Sequence, residues 1–275
     1  KVYSLCRSIT IESFSLPSYC LPLEIIKGDC NSIDDLKKSL IVSKPDLIVH
    51  IAQIKFMNNL LSSIKLLNIK PNLIIVGTTG VFSKYHSCSS VYKNSEEILF
   101  DSGLNFNLIR PTMIYGSLKD KNIHKLMLNI IKKVPIPLIG KGKSLFQPVF
   151  YKDVSLILFN LLSDYISGKY KKRIIWNCPG PNKLSFRQIC ELIAKEVNKN
   201  IILIDVPYYP FYAFASSLEF IFKERSPLKG EQVLRLKEDK VYKSDMKIAL
   251  KGDKLTSFKT GIHYLYECYN NFNSD

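Results

Sequence analysis

Apolar and polar positions along the chain follow two alternating periodicities. Apolar runs of strand length occur at Val2 to Cys6, Leu23 to Ile26, Asp46 to Ala52 and Asn72 to Val76. Segments with helical spacing lie between them, at Asp34 to Leu40, which Asn31 or Ser32 can cap, and at Met57 to Leu67. Near-continuous apolar runs are typical of strands buried on both faces of a parallel sheet. This order predicts right-handed crossovers and a doubly wound α/β sheet.

The same alternation continues downstream and then changes. It predicts helices at Glu96 to Ser102, Ile123 to Lys133, Val154 to Leu162 and Ser185 to Val197, and strands at Asn105 to Arg110 and Ile174 to Asn177. A segment rich in proline and aromatic residues, Val206 to Phe214, and a lysine-rich tail follow. We therefore expect a first domain over residues 1–178 and a small C-terminal lobe over 179–275, to which 117–147 contribute.

Composition fits a globular protein with a large core. The chain has 275 residues, 46% of them apolar, and no apolar run reaches the roughly 20 residues that span a bilayer. Its first residues do not read as a signal peptide. Seven cysteines have no C-x-x-C spacing, so neither a disulfide framework nor a metal site is indicated. We expect a cytoplasmic protein with no membrane partner.

A net charge of +15 raises the question of a nucleic-acid partner. The basic clusters, Lys132-Lys133 and Lys169 to Arg173, are short and lie near the ends of predicted elements. No aromatic-interleaved basic repeat or long basic tail is present. The distribution therefore predicts no nucleic-acid partner, although a basic surface can also steer an anionic nucleotide into a cleft.

One stretch carries a resemblance to a known family. Leu108 to Gly116 reads Leu-Ile-Arg-Pro-Thr-Met-Ile-Tyr-Gly, an apolar strand that ends in Arg-Pro before a Tyr-Gly turn. It resembles the strand before the nicotinamide site in the NAD(P)-dependent epimerase/dehydratase proteins, the extended and atypical short-chain dehydrogenase/reductase group. The resemblance implies a Rossmann-type sheet with a small C-terminal substrate lobe. It also implies that the backbone of Pro111, Thr112 and Met113 borders the nicotinamide.

The resemblance places further cofactor-binding residues after the strands, at the edge where ligands of doubly wound sheets bind. After the first strand, Arg7 favours a 2′-phosphate and hence NADP over NAD, or it is an ordinary surface arginine. After the second, Asp29 is similar to the family aspartate that meets the adenine, with Cys30 beside it, or it stabilises a turn. After the third, Ile51-Ala52-Gln53 matches a pattern in which a small residue leaves room for the cofactor.

The fourth strand leads into Gly77-Thr78-Thr79-Gly80-Val81-Phe82-Ser83, similar to the family's Ser-Ser-x-x-Val-Tyr-Gly. Aligned on Val81, Thr78 takes the place of the hydroxyl residue that hydrogen-bonds the reacting oxygen of the substrate. The alternative is a threonine and glycine turn with no chemical role.

The chain departs from the family pattern at the general acid. The family has a tyrosine four residues before a lysine, so that both lie on one helix face and the cation lowers the phenol pKa. Here the residue four before Lys93 is Ser89. The resemblance then implies that Lys93 contacts the cofactor ribose and leaves Tyr92 as the candidate acid. An exposed lysine beside a half-buried tyrosine is the alternative.

A second departure lies at the beginning. The family opens with a strand, a Gly-x-x-Gly-x-x-Gly turn and a helix that hold the pyrophosphate. None of the twelve glycines forms that pattern, and Lys1 to Arg7 matches the family's second strand. Either a first βα unit lies outside these residues or the protein is degenerate, and the clean start at an element boundary favours the former. As it stands, the chain should bind a dinucleotide poorly.

The resemblance resumes at Gly140-Lys141-Gly142 and at Phe146 to Val154. It implies that Lys141, Lys143 and Gln147 meet a substrate diphosphate, while Asp153 caps the next helix. Two function classes follow. The first is an NAD(P)-dependent epimerase, dehydratase or reductase acting on a nucleotide-sugar, for which a homodimer is one possible assembly. The second is a catalytically degenerate NAD(P)-binding protein with a structural or regulatory role.

Overall fold

A computed structural model describes residues 1–7, 23–85, 87–223, 230–244 and 247–274. Its strands are β1 (Val2–Cys6), β2 (Leu23–Lys27), β3 (Leu47–His50), β4 (Asn72–Val76), β5 (Phe106–Pro111), β6 (Ile114–Tyr115), β7 (Ile136–Ile139), β8 (Leu145–Phe146), β9 (Val149–Phe150), β10 (Ile174–Cys178), β11 (Leu184–Ser185) and β12 (Leu203–Val206). Its helices are α1 (Ile33–Ser43), α2 (Met57–Leu66), α3 (Ser89–Asp101), α4 (Ile123–Ile131), α5 (Tyr151–Ile166), α6 (Phe186–Glu196), α7 (Tyr208–Phe222), α8 (Gly230–Leu234), α9 (Lys247–Leu250) and α10 (Phe258–Ser274).

The predicted parallel α/β sheet is confirmed. Four strands pair in the order β10-β5-β4-β3, and β3 runs parallel to β4 with Leu47 opposite Asn72. Strands β1 and β2 form a separate parallel pair with Val2 opposite Leu23. Within the described residues, β1 and β3 each pair along one edge only.

The chain divides into two compact units. The first unit comprises Lys1–Gly77, Ser90–Leu108 and Lys171–Ile174, and the second comprises Thr78–Ser89, Ile109–Tyr170 and Ile175–Asp275.

The first unit is built around an apolar cluster between strands and helices. Its members are buried aliphatic and aromatic side chains, among them Leu36, Leu40, Met57, Leu60, Ile64, Leu73, Ile75, Leu99, Phe106 and Leu108. Helix α1 begins at the predicted Ser32, whose hydroxyl accepts a hydrogen bond from Asp35 N at 3.2 Å. The Ser63 hydroxyl on α2 donates to the Asn59 carbonyl of its own helix at 2.8 Å and lies 3.3 Å from the Ile33 carbonyl, so α2 contacts the first residue of α1.

The second unit has its own core, formed by α4, α6, α10 and the short strands β6, β8 and β9. The buried residues include Tyr115, Met127, Ile130, Phe146, Phe150, Ile189, Ile193, Phe258, Ile262 and Leu265. Helix α6 begins with a capping box, in which the Ser185 hydroxyl accepts from Gln188 N and the Gln188 side chain accepts from Ser185 N. The predicted Ser185 cap is thereby confirmed.

Two helices differ from the sequence prediction. Helix α3 begins at Ser89, seven residues before the predicted Glu96. The sequence prediction missed its first two turns because they are mostly polar, and their two adjacent apolar residues, Val91 and Tyr92, give no helical periodicity. Helix α7 forms over the proline- and aromatic-rich segment, for which the sequence pattern predicts no element. Its Pro210 lies in the first helical turn, where the missing N–H costs no helical hydrogen bond. No helix among the described residues is long and apolar enough to cross a membrane.

The predicted capping role of Asp153 is wrong, because α5 begins two residues earlier. The buried Asp153 carboxylate instead accepts hydrogen bonds from Thr256 N at 2.8 Å and from the Thr256 hydroxyl at 2.7 Å. Asp153 therefore anchors the segment that leads into α10, and its role is structural.

Candidate functional site

The turn after β4 places Thr78 at the carboxyl end of that strand. Thr78 has extended backbone angles and caps a short 3₁₀ turn, since its hydroxyl oxygen accepts from Gly80 N at 3.0 Å. Gly77 before it allows a close approach, because a Cβ there would lie 3.0 Å from the Leu108 side chain. Among the described residues the Thr78 O–H has no acceptor, so it can donate to an oxygen of a bound ligand.

Contacts with Pro111, Arg110 and Tyr242 anchor the same turn through Thr79 and Phe82. The buried Thr79 hydroxyl donates to the Pro111 carbonyl at 3.3 Å, and the Tyr242 hydroxyl donates to the Thr79 carbonyl at 3.5 Å. The Phe82 ring contacts two groups: the Arg110 guanidinium lies 5.1 Å from its centroid, and the centroid of the Tyr242 ring is 5.5 Å away. These contacts hold the backbone around Thr78 in one conformation.

Glu238 holds the end of this turn. One oxygen of its carboxylate accepts from the Ser83 hydroxyl at 2.6 Å, and the other accepts from Lys84 N at 2.5 Å. Two residues on, the backbone N–H of Lys240 donates to the Leu145 carbonyl at 2.7 Å. The segment from Glu238 to Tyr242 thus ties the Thr78 turn to the β8 strand.

The backbone that the family resemblance assigns to the nicotinamide is held by the protein. Thr112 N donates to the Cys178 carbonyl at 3.2 Å, the Thr112 hydroxyl donates to the Gln147 carbonyl, and Val149 N donates to the Met113 carbonyl at 2.9 Å. Pro111 is buried, while Thr112 and Met113 are half-buried. This segment is firmly held and keeps part of its surface open.

Residues of the first unit that were predicted to hold the adenosine end lie after β1 and β2. Arg7 is exposed. The Asp29 carboxylate accepts from Asn31 N at 2.8 Å in an Asx-type turn, and Asp29 N donates to Asp35 at 2.9 Å. Burial and the nearby Asp29 raise the pKa of the half-buried Cys30 thiol, so this thiol is not activated.

The residues after β3 lie at the end of a strand as predicted. Ile51 is 69% exposed, Ala52 is half-buried and Gln53 is exposed. His50 is buried and lies 3.4 Å from the Gln53 carbonyl, and burial lowers its pKa. These contacts assign His50 a packing role as a neutral, backbone-bonded histidine.

Helix α3 carries the candidate acid and the candidate ribose contact. Lys93 is exposed, whereas Tyr92 is half-buried and packs against the apolar cluster of the first unit. Ser89, four residues before Lys93, is the first residue of the helix.

A cavity of about 390 Å³ lies in the second unit. Apolar side chains from several elements form its walls, and four cationic side chains also line it. The lining residues are Met113, Lys121, Asn122, Ile123, Lys125, Leu126, Asn129, Phe146, Phe186, Ile189, Arg235, Leu236 and Lys240. Carboxylates are absent from this lining, so within the described residues the cavity favours an anion with an apolar or aromatic portion.

Two of the cations are partly buried in ways that favour an anionic ligand. The Arg235 Nε is buried and has no hydrogen-bond partner among the described residues. The Lys240 ammonium lies 4.6 Å from the Phe146 ring centroid. Burial, together with the positive charge of Arg235, lowers the pKa of Lys240 to about 8. An anion bound here would satisfy Arg235 and favour the charged form of Lys240.

The three residues predicted to meet a diphosphate lie elsewhere. Lys141 and Lys143 are exposed at a turn around Gly142 and are not among the described lining residues. Gln147 is buried, and its amide donates to the Gly180 carbonyl at 3.1 Å and accepts from Tyr242 N at 2.7 Å. In this structure Gln147 joins two segments of the protein.

The sequence analysis missed the cavity cations. Lys121 lies just before α4 and Lys125 lies in its first turn, so both are close to the start of that helix. Their closeness along the chain was the available signal. Arg235 and Lys240 lie in the lysine-rich tail, and no local pattern separates them from its other cations.

Comparison with known proteins identifies the fold. No protein-family model matches the chain, and no curated protein matches it by sequence. Solved structures do match. UDP-glucuronic acid 4-epimerase from Bacillus cereus, in complex with UDP-glucuronic acid and NAD, matches with a TM-score of 0.71 and 15% identity, over 98% of this chain and 91% of that one.

Two further structures give the same result. dTDP-glucose 4,6-dehydratase from Bacillus anthracis, in complex with NAD, matches with a TM-score of 0.71 and 16% identity, over 100% of this chain and 89% of that one. UDP-glucose 4-epimerase from Thermus thermophilus, in complex with NAD, matches with a TM-score of 0.65 and 13% identity, over 98% and 91% of the two chains. At these identities the likeness establishes the fold.

Proposed function

We propose, on the basis of a fold shared with NAD-dependent epimerases and dehydratases over almost the whole chain, that this protein is an oxidoreductase of that class acting on a nucleotide-linked sugar. The observation that carries the substrate class is the basic cavity of the second unit. Its cations suit a diphosphate, its apolar walls suit a flat base, and its amides, Asn122 and Asn129, can meet the hydroxyls of a sugar.

Within that cavity Arg235 is proposed to bind the diphosphate most directly. Its buried Nε lacks a partner among the described residues, and an unsatisfied buried donor costs about 1–3 kcal/mol, which a phosphate oxygen would recover. A guanidinium also matches the geometry of phosphate oxygens better than an ammonium does. Lys121, Lys125 and Lys240 add positive charge around it.

Thr78 is proposed to orient the reacting oxygen of the sugar. Its hydroxyl oxygen is fixed by Gly80 N, so its proton can be directed to the substrate. Lys93 is proposed to contact the ribose of the dinucleotide and Tyr92 to act as the acid. Lys141, Lys143 and Gln147 remain proposed substrate contacts through the family resemblance only.

The residues present fit a dinucleotide in part. Within the first unit, the exposed Arg7, the Asp29 turn and the small Ala52 suit an adenosine group. Within the second unit, the firmly held backbone of Pro111 to Met113 suits a nicotinamide. The sequence contains no glycine-rich turn to hold the pyrophosphate. These residues alone therefore do not make a complete dinucleotide site.

A second candidate function is a nucleotide-sugar-binding protein without turnover. The observation that favours it is Ser89, which opens α3 where the resembled family has its catalytic tyrosine. A serine hydroxyl is a far weaker acid than a phenol, so it does not replace the tyrosine in proton transfer.

Incubation with UDP- and dTDP-sugars, with NAD or NADP in either redox state, tests the proposal by dinucleotide absorbance and product analysis. We expect turnover that Thr78→Val lowers about 100-fold, as for loss of one positioned donor. Thr260→Val, at an exposed position on α10, is the matched control and should retain activity.

Binding measurements test the cavity on which both functions depend, and turnover separates the two functions. Arg235→Met should weaken UDP-glucose binding at least about tenfold, and the exposed Lys169→Met should leave it unchanged. Binding without turnover on a broad panel supports the second function. If UDP- and dTDP-sugars fail to bind at all, both functions are wrong.

A further inference from the structure

Helix α7 presents an apolar face to solvent. Five of its large side chains are exposed. The four most exposed are Tyr209 at 75%, Phe214 at 57%, Phe220 at 85% and Ile221 at 66%, and the fifth is the last residue of the helix, Phe222, at 51%. Its other side is held by the protein, with Ala215 fully buried. A large exposed apolar patch on a folded protein commonly marks an interaction site.

The four most exposed of these side chains form one continuous surface on α7. At 3.6 residues per turn, the four side chains fall with Pro210, Ala213 and Ser217 in an arc of about 140°, and they extend about 18 Å along the helix. We call this surface the α7 face. It contains no charged side chain. The single charged residue of α7, Glu219, lies outside it, where its carboxylate accepts from Gly230 N at 2.9 Å.

Cations border the α7 face. The Lys237 ammonium lies 4.0 Å from the Tyr208 ring centroid and 5.0 Å from that of Tyr209. Lys223 is exposed directly after the helix. The chain as a whole carries a net charge of +15. A partner that covers this face therefore meets aromatic rings and, near each end of the helix, a lysine.

We propose that the α7 face docks on an anionic membrane surface, with the phenyl and phenol rings at the headgroup boundary and the lysines against lipid phosphates. Helices that lie in the interface combine aromatic and aliphatic residues on one side with cations nearby. A second copy of this chain fits less well, because association would bring together two chains of +15.

This inference is independent of the proposed function and revises one sequence expectation. The expectation of no membrane partner followed from the absence of a spanning segment. Surface binding requires no spanning segment, since a 15-residue helix can lie flat in the interface.

Vesicle flotation tests the proposal with the full chain. We expect the protein to float with vesicles of phosphatidylcholine containing about 30% phosphatidylglycerol, and to float at least about tenfold less with phosphatidylcholine alone or in high salt. The double variant F214S/F220S should lose at least about tenfold in partitioning, because it removes two rings from the face.

The control variant is Phe159→Ser, which changes an equally exposed phenylalanine, at 65%, on helix α5. It should float like the unchanged protein, and thermal unfolding should be similar for all three proteins because the altered side chains are on the surface. Equal flotation of F214S/F220S and the unchanged protein overturns the proposal. So does concentration-dependent dimerisation that F214S/F220S abolishes, since the face would then bind a second copy.

Discussion

At the scale of single residues, Lys240 is the group whose protonation should control ligand binding. Its pKa of about 8 means that the ammonium is largely charged below pH 8 and largely neutral above it. A bound diphosphate favours the cation and so raises this pKa in the complex. Affinity is therefore complete below about pH 8 and falls as the pH rises above it, by up to about tenfold per pH unit.

Calorimetric titration of UDP-glucose between about pH 7 and about pH 9 measures this effect, because the diphosphate charge is constant over that range and the uracil ring stays largely neutral. Lys240→Met should bind more weakly at low pH and show a flat profile. A profile as steep in Lys240→Met as in the unchanged protein would assign the titration to another group.

The location of a single residue could be predicted from the sequence where that residue directly follows a strand. Thr78 could be located from the apolar run before it and the Gly-Val-Phe pattern after it. Asp153 could not, because its partner Thr256 is more than a hundred residues away, and hydrogen bonds at that separation leave no local pattern. The cavity residue Arg235 was missed for the same reason.

At the scale of elements, Gly261 in α10 illustrates how packing overrides helix propensity. Alanine in a helix interior is favoured over glycine by about 1 kcal/mol. A Cβ at position 261 would, however, overlap the hydroxyl of the buried Tyr115. We expect Gly261→Ala to destabilise the protein by about 1–3 kcal/mol, the usual cost of overpacking a core.

Urea unfolding measures this change. Tyr115→Phe removes the atom nearest to the new methyl group, so Gly261→Ala should cost less in that background than in the unchanged protein. A stabilising Gly261→Ala would mean that propensity outweighs the contact.

Elements with an apolar pattern of their own were predicted closely, such as α2 and β4. Helix α7 was not, since nearly every position of it is apolar or aromatic, and no polar side distinguishes a helix from a loop rich in proline. Its outward apolar face is the reason that its sequence lacks the ordinary amphipathic pattern.

At the scale of the whole molecule, the order of elements determines the fold. Alternating strands and helices leave few topologies when crossovers are right-handed, so the parallel sheet could be predicted. The cavity could not, because its lining comes from separate stretches between Met113 and Lys240 that meet only in the folded second unit. The composition gives the positive net charge, but only the structure shows that four of the cationic side chains line one cavity.

The whole chain should bind its two proposed ligands with different affinities. A dinucleotide pyrophosphate is ordinarily held by N–H groups of a glycine-rich turn and the dipole of the helix that follows, and these 275 residues contain no such turn. The proposed nucleotide-sugar cavity lies wholly in the second unit and does not depend on that turn.

In calorimetric titrations of the 275-residue chain we therefore expect NADPH and NADH to bind with Kd values well above about 1 μM, while UDP-glucose binds more tightly than either. Micromolar binding of NADPH or NADH would contradict this expectation, because residues such as Arg7 and Asp29 would then suffice for the cofactor without a glycine-rich turn.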